Sequence, residues 1–309
     1  MITVENLSKR YGELRAVDRI SFEVQKGELF GFLGPNGAGK TTSISMISGL
    51  LKPNEGAVRV AEYDVWENPK QAKQLMGLVP QDLALYEEFS AMENLLFWGG
   101  LYGVSRSKLK KNIHEILERV GLAGRAKEPV SRFSGGMKRR LNLAIGLIHE
   151  PKIILLDEPT VGIDPQARNN ILDIIREIAR EGRTILFTTH HLEEAEKLCD
   201  RIAIMDHGRI LQIGSVNELA RVVGDKDIIT IRGRFSAAQI NECLSECPIA
   251  FINLEDNLVK LNIKEENGFG IASLVTRLTQ YKITIEDLSL QKPTLESVFL
   301  KLTGRELRD

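Results

Sequence analysis

The chain has 309 residues, of which 43% are hydrophobic and 27% charged, with a formal net charge of −1. That length and composition fit a large globular domain plus a smaller one and exclude a disordered chain. The balanced charge gives no global field toward nucleic acid or an anionic membrane, and no apolar run approaches the about 20 residues that span a bilayer.

The opening, MITVENLSKRYG, lacks the apolar region of a signal peptide. ITVENLSKRYG and AVDRISFEV alternate like antiparallel strands, so a small β-subdomain is expected there. ELFGFLG (Glu28 to Gly34) is instead a near-continuous apolar run, as in a strand buried on both faces of a parallel sheet. It leads directly into GPNGAGKTT, Gly34 to Thr42, which fits G-x-x-x-x-G-K-[ST] in the strand context that motif requires. Gly34, Gly37 and Gly39 permit a tight turn and close approach of backbone N–H groups to phosphate oxygens. Pro35, Asn36, Ala38 and Thr42 complete the phosphate-binding stretch, and the following helix adds its positive dipole end. Lys40 is placed to neutralise β- and γ-phosphates and Thr41 to ligate Mg²⁺.

Residues 90 to 150 read as mostly helical. The stretch LALYEEFSAMENLLFWGGLYG (Leu83 to Gly103) is dense in aromatics and leucine, of which the larger part is expected to be core. FSGGMKRRL (Phe133 to Leu141) opens a helix whose apolar positions Met137, Leu141, Ala144, Ile145 and Ile148 follow helical spacing until Pro151. Ser134 is its expected N-cap. Two glycines in a first turn weaken a helix by about 1 kcal/mol each relative to Ala. Their advantage is a side-chain-free surface where phosphate can approach free N–H groups, so Ser134, Gly135 and Gly136, followed by the cations Lys138, Arg139 and Arg140, read as a second anion site away from the phosphate loop.

KIILLDEP (Lys152 to Pro159) delivers Asp157 and Glu158 at the carboxyl end of a buried strand. Two adjacent buried carboxylates are costly without a cation or a chemical role. Asp157 would hold Mg²⁺, directly or through water, and Glu158 would orient and deprotonate an attacking water. TILFTTH (Thr184 to His190) is a further buried strand, and IAIMDHGRILQIG a hairpin turning at Asp206-His207-Gly208. To this point the chain is an α/β Mg-nucleotide hydrolase.

After Gly224 the order becomes strand (DIITIRG), helix opened by Ser236, strand (IAFINLE), strand (NLVKLNIK), helix (GIASLVTRLTQY) and strand (ITIEDLSL). In NLVKLNIK, Val259, Leu261 and Ile263 share one face. This β-α-β-β-α-β order suggests a small α+β, ferredoxin-like domain. A last helix is expected to start at Pro293, with Leu295, Val298, Phe299 and Leu302 on one face. The domains are placed at 1–216 and 225–309. Cys199, Cys243 and Cys247 form no framework; Cys243 and Cys247 lie one helical turn apart, and ordinary reduced thiols are expected.

Together these motifs resemble the nucleotide-binding subunit of ATP-binding-cassette (ABC) transporters along the whole first domain. The resemblance implies a P-loop NTPase fold with a β-subdomain and a helical subdomain. SGGMK is similar to the family's signature motif, which binds the γ-phosphate of ATP seated on the opposite subunit. This implies a head-to-tail dimer, homo- or heterodimeric, with two ATP molecules sandwiched. By the same resemblance Tyr11 stacks on adenine, and Gln81, in LVPQD, senses Mg²⁺. Asp164, in VGIDP, lies on the loop crossing the dimer interface, and His190 is the switch histidine, favoured by register over His191. Phe133, Met137, Val161 and Ile163 depart from the commonest residues without removing a phosphate or metal contact.

LESVFLKLTGRELRD resembles the terminus of ATPases from daunorubicin-resistance-type exporters. These carry a C-terminal extension, here expected to regulate or stabilise the dimer, and pair with a separate polytopic permease. The implied protein is an ATPase on the cytoplasmic face of the cell membrane, using ATP and Mg²⁺ to power export of a drug or other hydrophobic compound. Residues 83–103 would receive the permease. The alternatives are a soluble cassette ATPase acting on ribosomes or DNA, and another P-loop enzyme such as a kinase. The single cassette, the missing basic excess and SGGMK argue against them, and no nucleic-acid partner is expected.

Overall fold

β1 (Ile2–Tyr11) and β2 (Leu14–Val24) run antiparallel, with Val4 opposite Phe22 and Leu7 opposite Ile20. Their alternation turns these four apolar side chains inward. β3 (Leu29–Leu33) is buried at every residue and feeds the glycine-rich loop and α1 (Lys40–Ile47). β4 (Glu55–Val60) and β5 (Tyr63–Asp64) extend the first sheet, whose order is β2-β1-β4-β5. α2 (Pro69–Leu75) leads to β6 (Met76–Val79).

Then come three helices, α3 (Ala91–Leu101), α4 (Arg106–Arg119) and α5 (Gly135–Leu147). The chain returns as β7 (Ile153–Asp157), α6 (Pro165–Arg180), β8 (Thr184–Thr189), α7 (Leu192–Leu198), β9 (Arg201–Asp206) and β10 (Arg209–Gly214). The second sheet has the order β10-β9-β3-β8-β7-β6. Its five strands from β9 to β6 are parallel, which explains their unbroken apolar sequences. One core serves both sheets, with Phe22, from the first, stacked on Phe30 at 5.4 Å and edge-on to Phe32 at 5.0 Å.

This computed structural model describes residues 1–223, 228–255, 257–263, 269–291 and 294–304. The chain divides after Ile213 into two units. The second contains α8 (Val216–Val223), β11 (Ile228–Arg234), α9 (Ala237–Leu244), β12 (Ile249–Glu255), β13 (Leu258–Ile263), α10 (Ile271–Gln280), β14 (Thr284–Gln291) and α11 (Leu295–Thr303). Its sheet, β12-β13-β11-β14, is antiparallel throughout. Val259, Leu261 and Ile263 enter its core beside Ile229, Ile231, Leu274 and Leu278. Ser236 caps α9 in a reciprocal capping box with Gln239. Lys260 pairs with Glu296 at 2.9 Å, and Lys301 donates to the Val222 carbonyl at 2.8 Å, tying α11 to β13 and α8. Pro293, the expected helix start, lies outside the described residues, as do 224–227 near the expected boundary and the last residues, 305–309. All three cysteines are free thiols.

Candidate functional site: a phosphate loop beside three strand ends

Strands β3, β8 and β7 are neighbours, and their register brings their carboxyl ends level: Leu33 pairs with Thr189, and Asp157 with Thr188. Polar groups gather at such ends because the sheet's two faces are covered. The loop after β3 turns through Gly37 (φ 81°) and Gly39 (φ 101°), in the left-handed region that favours glycine. A Cβ on Gly39 would also stand 2.5 Å from the Ala16 carbonyl oxygen. α1 therefore begins without a side-chain cap, and its first N–H groups have no intrahelical acceptor.

The cavity over this loop holds about 430 Å³. Its lining includes Tyr11, Asn36, Gly37, Gly39, the consecutive Lys40, Thr41 and Thr42, Gln81 and Glu158. Tyr11 is half exposed at the rim, with the Lys9 ammonium 5.6 Å from its ring centre. Lys40 is buried; its Nζ donates to the carbonyls of Gly34 (2.7 Å) and Pro35 (3.1 Å) and pairs with Glu158 Oε1 at 3.0 Å. Thr41 Oγ1 donates to Asp157 Oδ1 at 3.2 Å, and Thr188 Oγ1 to the same oxygen at 2.7 Å. Thr188 Oγ1 in turn accepts the Glu158 N–H at 2.9 Å. Glu158 has φ 44° and holds His190 Nδ1 at 3.0 Å from its Oε2.

The two adjacent carboxyls have opposite characters. Burial pushes Asp157 up, with the Thr188 and Thr41 hydroxyls acting against it. Burial also acts to raise Glu158, but the His190 hydrogen bond and the Lys40 ammonium outweigh it and hold that carboxyl at about 2. Neighbouring acids driven apart in this way mark a site with divided roles.

Ser134, Gly135, Gly136 and Asp164 do not line this cavity. Ser134 caps α5, accepting the Met137 N–H at 3.3 Å, and Asp164 caps α6, accepting that of Ala167 at 3.0 Å. Ser134 and Gly135 are exposed, whereas Gly136 is buried because a Cβ there would lie 2.7 Å from Ala167 Cβ on α6. The glycine pair thus divides between an open surface and a packing need. The cations depart from expectation. Lys138 pairs with Glu87 at 2.6 Å, and Arg140 donates to the Val120 carbonyl at 2.7 Å. Arg139, buried, donates to the Gln81 carbonyl and, at 3.2 Å, to that of Val161. The basic run is an internal tie rather than a free positive patch.

Sequence reasoning missed this tie and its companion Asn142, which donates to the Pro80 carbonyl and accepts the Ala84 N–H, both at 3.1 Å. It also missed Thr188; a pair of threonines ending a buried strand was the available signal.

A family model described as ABC transporter matches residues 17–161. The chain is 43% identical to the linearmycin resistance ATP-binding protein LnrL of Bacillus subtilis (strain 168), over the full length of both. The chain belongs to the ABC transporter ATP-binding family. The cassette is also 37% identical to the daunorubicin resistance ATP-binding protein DrrA3 of Streptomyces coeruleorubidus, covering 99% of this chain and 97% of that one. Among solved structures, an ATP-binding subunit of an ABC transporter superposes with a TM-score of 0.66 and 31% identity, covering 72% of this chain and 93% of that one. A dimeric ATP-binding cassette in a post-hydrolysis state with ADP and Pi gives 0.63 at 26% identity, covering 70% and 98%. The protein is thus an ATP-binding, ATP-hydrolysing cassette of the family.

Proposed function

We propose that this cassette powers export of a drug or other hydrophobic compound through a separate polytopic permease, as part of a head-to-tail dimer with two sandwiched ATP molecules. The observation that carries the reading is the convergence of Lys40, Thr41, Glu158 and Gln81 on one cavity. The chain holding them aligns along its whole length with resistance ATP-binding proteins.

The cavity fits a nucleoside triphosphate: a glycine turn and an uncapped helix start meet its phosphates, and Tyr11 meets its base. Thr41 and Asp157 offer a hydroxyl and a carboxylate, the oxygen set of Mg²⁺, with Gln81 at the same cavity. That ion, when bound, neutralises charge on the phosphate oxygens. Lys40, on turning to phosphate, leaves Glu158 held by His190. The Glu158 carboxylate then gains basicity and can take a proton from water, while His190 faces the γ-phosphate. Ser134, Gly135 and Gly136, outside this cavity, complete the site of a second copy, and Asp164 lies on the same boundary.

The first unit corresponds to a nucleotide-binding domain at 1–216, with the first sheet as β-subdomain and α3 to α5 as helical subdomain. The strand order of the second unit supports a ferredoxin-like domain at 225–309 that stabilises or regulates the dimer. Docking of the permease on residues 83–103 is supported by exposed Tyr86, Phe89 and Phe97, whose rings meet at 5.3 Å (Tyr86–Phe89) and 4.9 Å (Tyr86–Phe97). Among the described residues no helix is long and apolar enough to cross a membrane; in this reading the permease makes the crossing.

Tagged Glu158→Gln, recovered from gently solubilised membranes with ATP and Mg²⁺, should bring down one polytopic membrane protein in stoichiometric amount. Recovery of ribosomes or DNA-repair proteins instead would overturn the transport reading and leave the ATPase chemistry standing.

A further inference from the structure

Glu194, in the first turn of α7, is a carboxylate that is 2% exposed and lines no part of the nucleotide cavity. Both its oxygens are engaged. Thr160 Oγ1 donates to Oε1 at 2.8 Å, and Thr189 Oγ1 donates to Oε2 at 2.5 Å. Arg168 Nε stands 3.7 Å from Oε1, too far for a hydrogen bond.

The two hydroxyls lie on the segments that carry the reacting side chains. Thr160 is two residues after Glu158 on the loop leaving β7. Thr189 ends β8 immediately before His190, and its hydroxyl also accepts the His191 N–H at 3.0 Å, bridging over the histidine. Glu158 stands at φ 44°, a conformation that a non-glycine residue keeps only when its surroundings enforce it. The Val161 N–H on the Glu158 carbonyl (3.2 Å) and the Thr188 hydroxyl on the Glu158 N–H enforce it from one side. Glu194 adds a further tie to this loop through the Thr160 hydroxyl.

We propose that Glu194 is a positioning residue for ATP hydrolysis: by holding Thr160 and Thr189 together it fixes the loop of Glu158 against the strand end of His190, and so maintains the Glu158–His190 contact. The proposal rests on the reading of Glu158 as the base. A purely structural role is the poorer account, because a buried carboxylate whose hydrogen bonds go to two neutral hydroxyls, with the Arg168 guanidinium near it but not hydrogen-bonded to it, is a costly way to fill space. Its geometry instead supplies two charge-assisted hydrogen bonds, one to each catalytic segment.

The test uses the full-length cassette and compares ATP turnover, affinity for a fluorescent ATP analogue and melting temperature in one set of variants. Glu194→Ala should lower kcat by about 10- to 100-fold while the analogue Kd stays within about threefold. Thr189→Val should lower kcat by about tenfold, and Thr189→Ser, which restores the hydroxyl, should recover most of that loss. Should Glu194→Ala fail to fold, the Thr189 pair decides alone. Equal turnover in Thr189→Val and Thr189→Ser would overturn the proposal, as would a Glu194→Ala variant that is fast or that loses kcat and affinity together. Glu158→Gln is measured alongside. If it hydrolyses at the normal rate, the reading of the base fails and takes the proposal with it; if it is slow and Glu194→Ala is fast, only the Glu194 proposal falls.

Discussion

Two helix starts in this cassette are built to opposite plans. α1 opens through a left-handed glycine with no side-chain cap, beside a buried lysine and a buried carboxylate pair. α5 opens through a serine whose hydroxyl caps it, on an exposed surface, with Lys138, Arg139 and Arg140 each turned to a partner in the same chain. The first has its counter-charges and its catalytic neighbours around it. The second presents backbone and a hydroxyl and lines no part of the cavity over the α1 loop. In the dimer proposed above, the difference would mean that one chain carries a nearly complete site and a separate fragment of another.

The severest break in this comparison is Lys40→Ala, which removes the buried cation of the α1 site. Turnover should fall below detection and ATP affinity by at least about tenfold, read by phosphate release and titration. Next in size is Ser134→Arg, placed in a Glu158→Gln background. Glu158→Gln alone should give a dimer with ATP and Mg²⁺ on size-exclusion chromatography. The added arginine should abolish that dimer and leave ATP binding by the single subunit intact. Loss of binding as well would mean that the α5 start serves its own chain.

Gly136→Ala should destabilise by about 1–3 kcal/mol through overpacking against Ala167, seen as a lower melting temperature. Gly135→Ala should leave stability nearly unchanged, since the nearest atom to its Cβ would be Ile163 Cγ2 at 3.9 Å. The smallest effects are in the pH dependence of stability. Glu158, with its carboxyl lowered from 4.5 to about 2, contributes stability that is present above pH 4.5 and is lost as pH falls toward 2. Glu158→Gln should therefore lose less stability over that window than the parent. Asp157 has the reverse sign: its raised carboxyl contributes stability below its ordinary range that is lost as pH rises, so Asp157→Asn should be more stable than the parent at neutral pH without nucleotide.

The α1 side of the comparison was legible in the sequence because it is local. A buried strand, a glycine turn, a lysine and a helix are consecutive, and the apolar run before Asp157 and Glu158 announces a covered sheet. The same holds for the order of elements after residue 228, set by alternation and by the Ser236 cap. The α5 side was half legible. Ser134 reads as a cap from the sequence, but the destinations of Lys138, Arg139 and Arg140 do not, because a basic run on a helix looks alike whether it faces solvent or a neighbouring carbonyl. Thr160, Thr188, Thr189 and Glu194 were hidden for a related reason. Threonine and glutamate are ordinary at strand and helix ends, and only the level register of β7 and β8 turns them into a buried network.

Arg139 is a joint made of a single side chain. Its guanidinium bonds to carbonyls on two separate loops, at Gln81 and Val161, while its backbone belongs to the helix that begins at Ser134. Moving any one of these three segments alone would strand a buried cation, at about 1.5–3 kcal/mol for each charged hydrogen bond given up. The cheaper course is for all three to travel as one body. A shift at Gln81 would then carry the Val161 loop and the start of α5 with it.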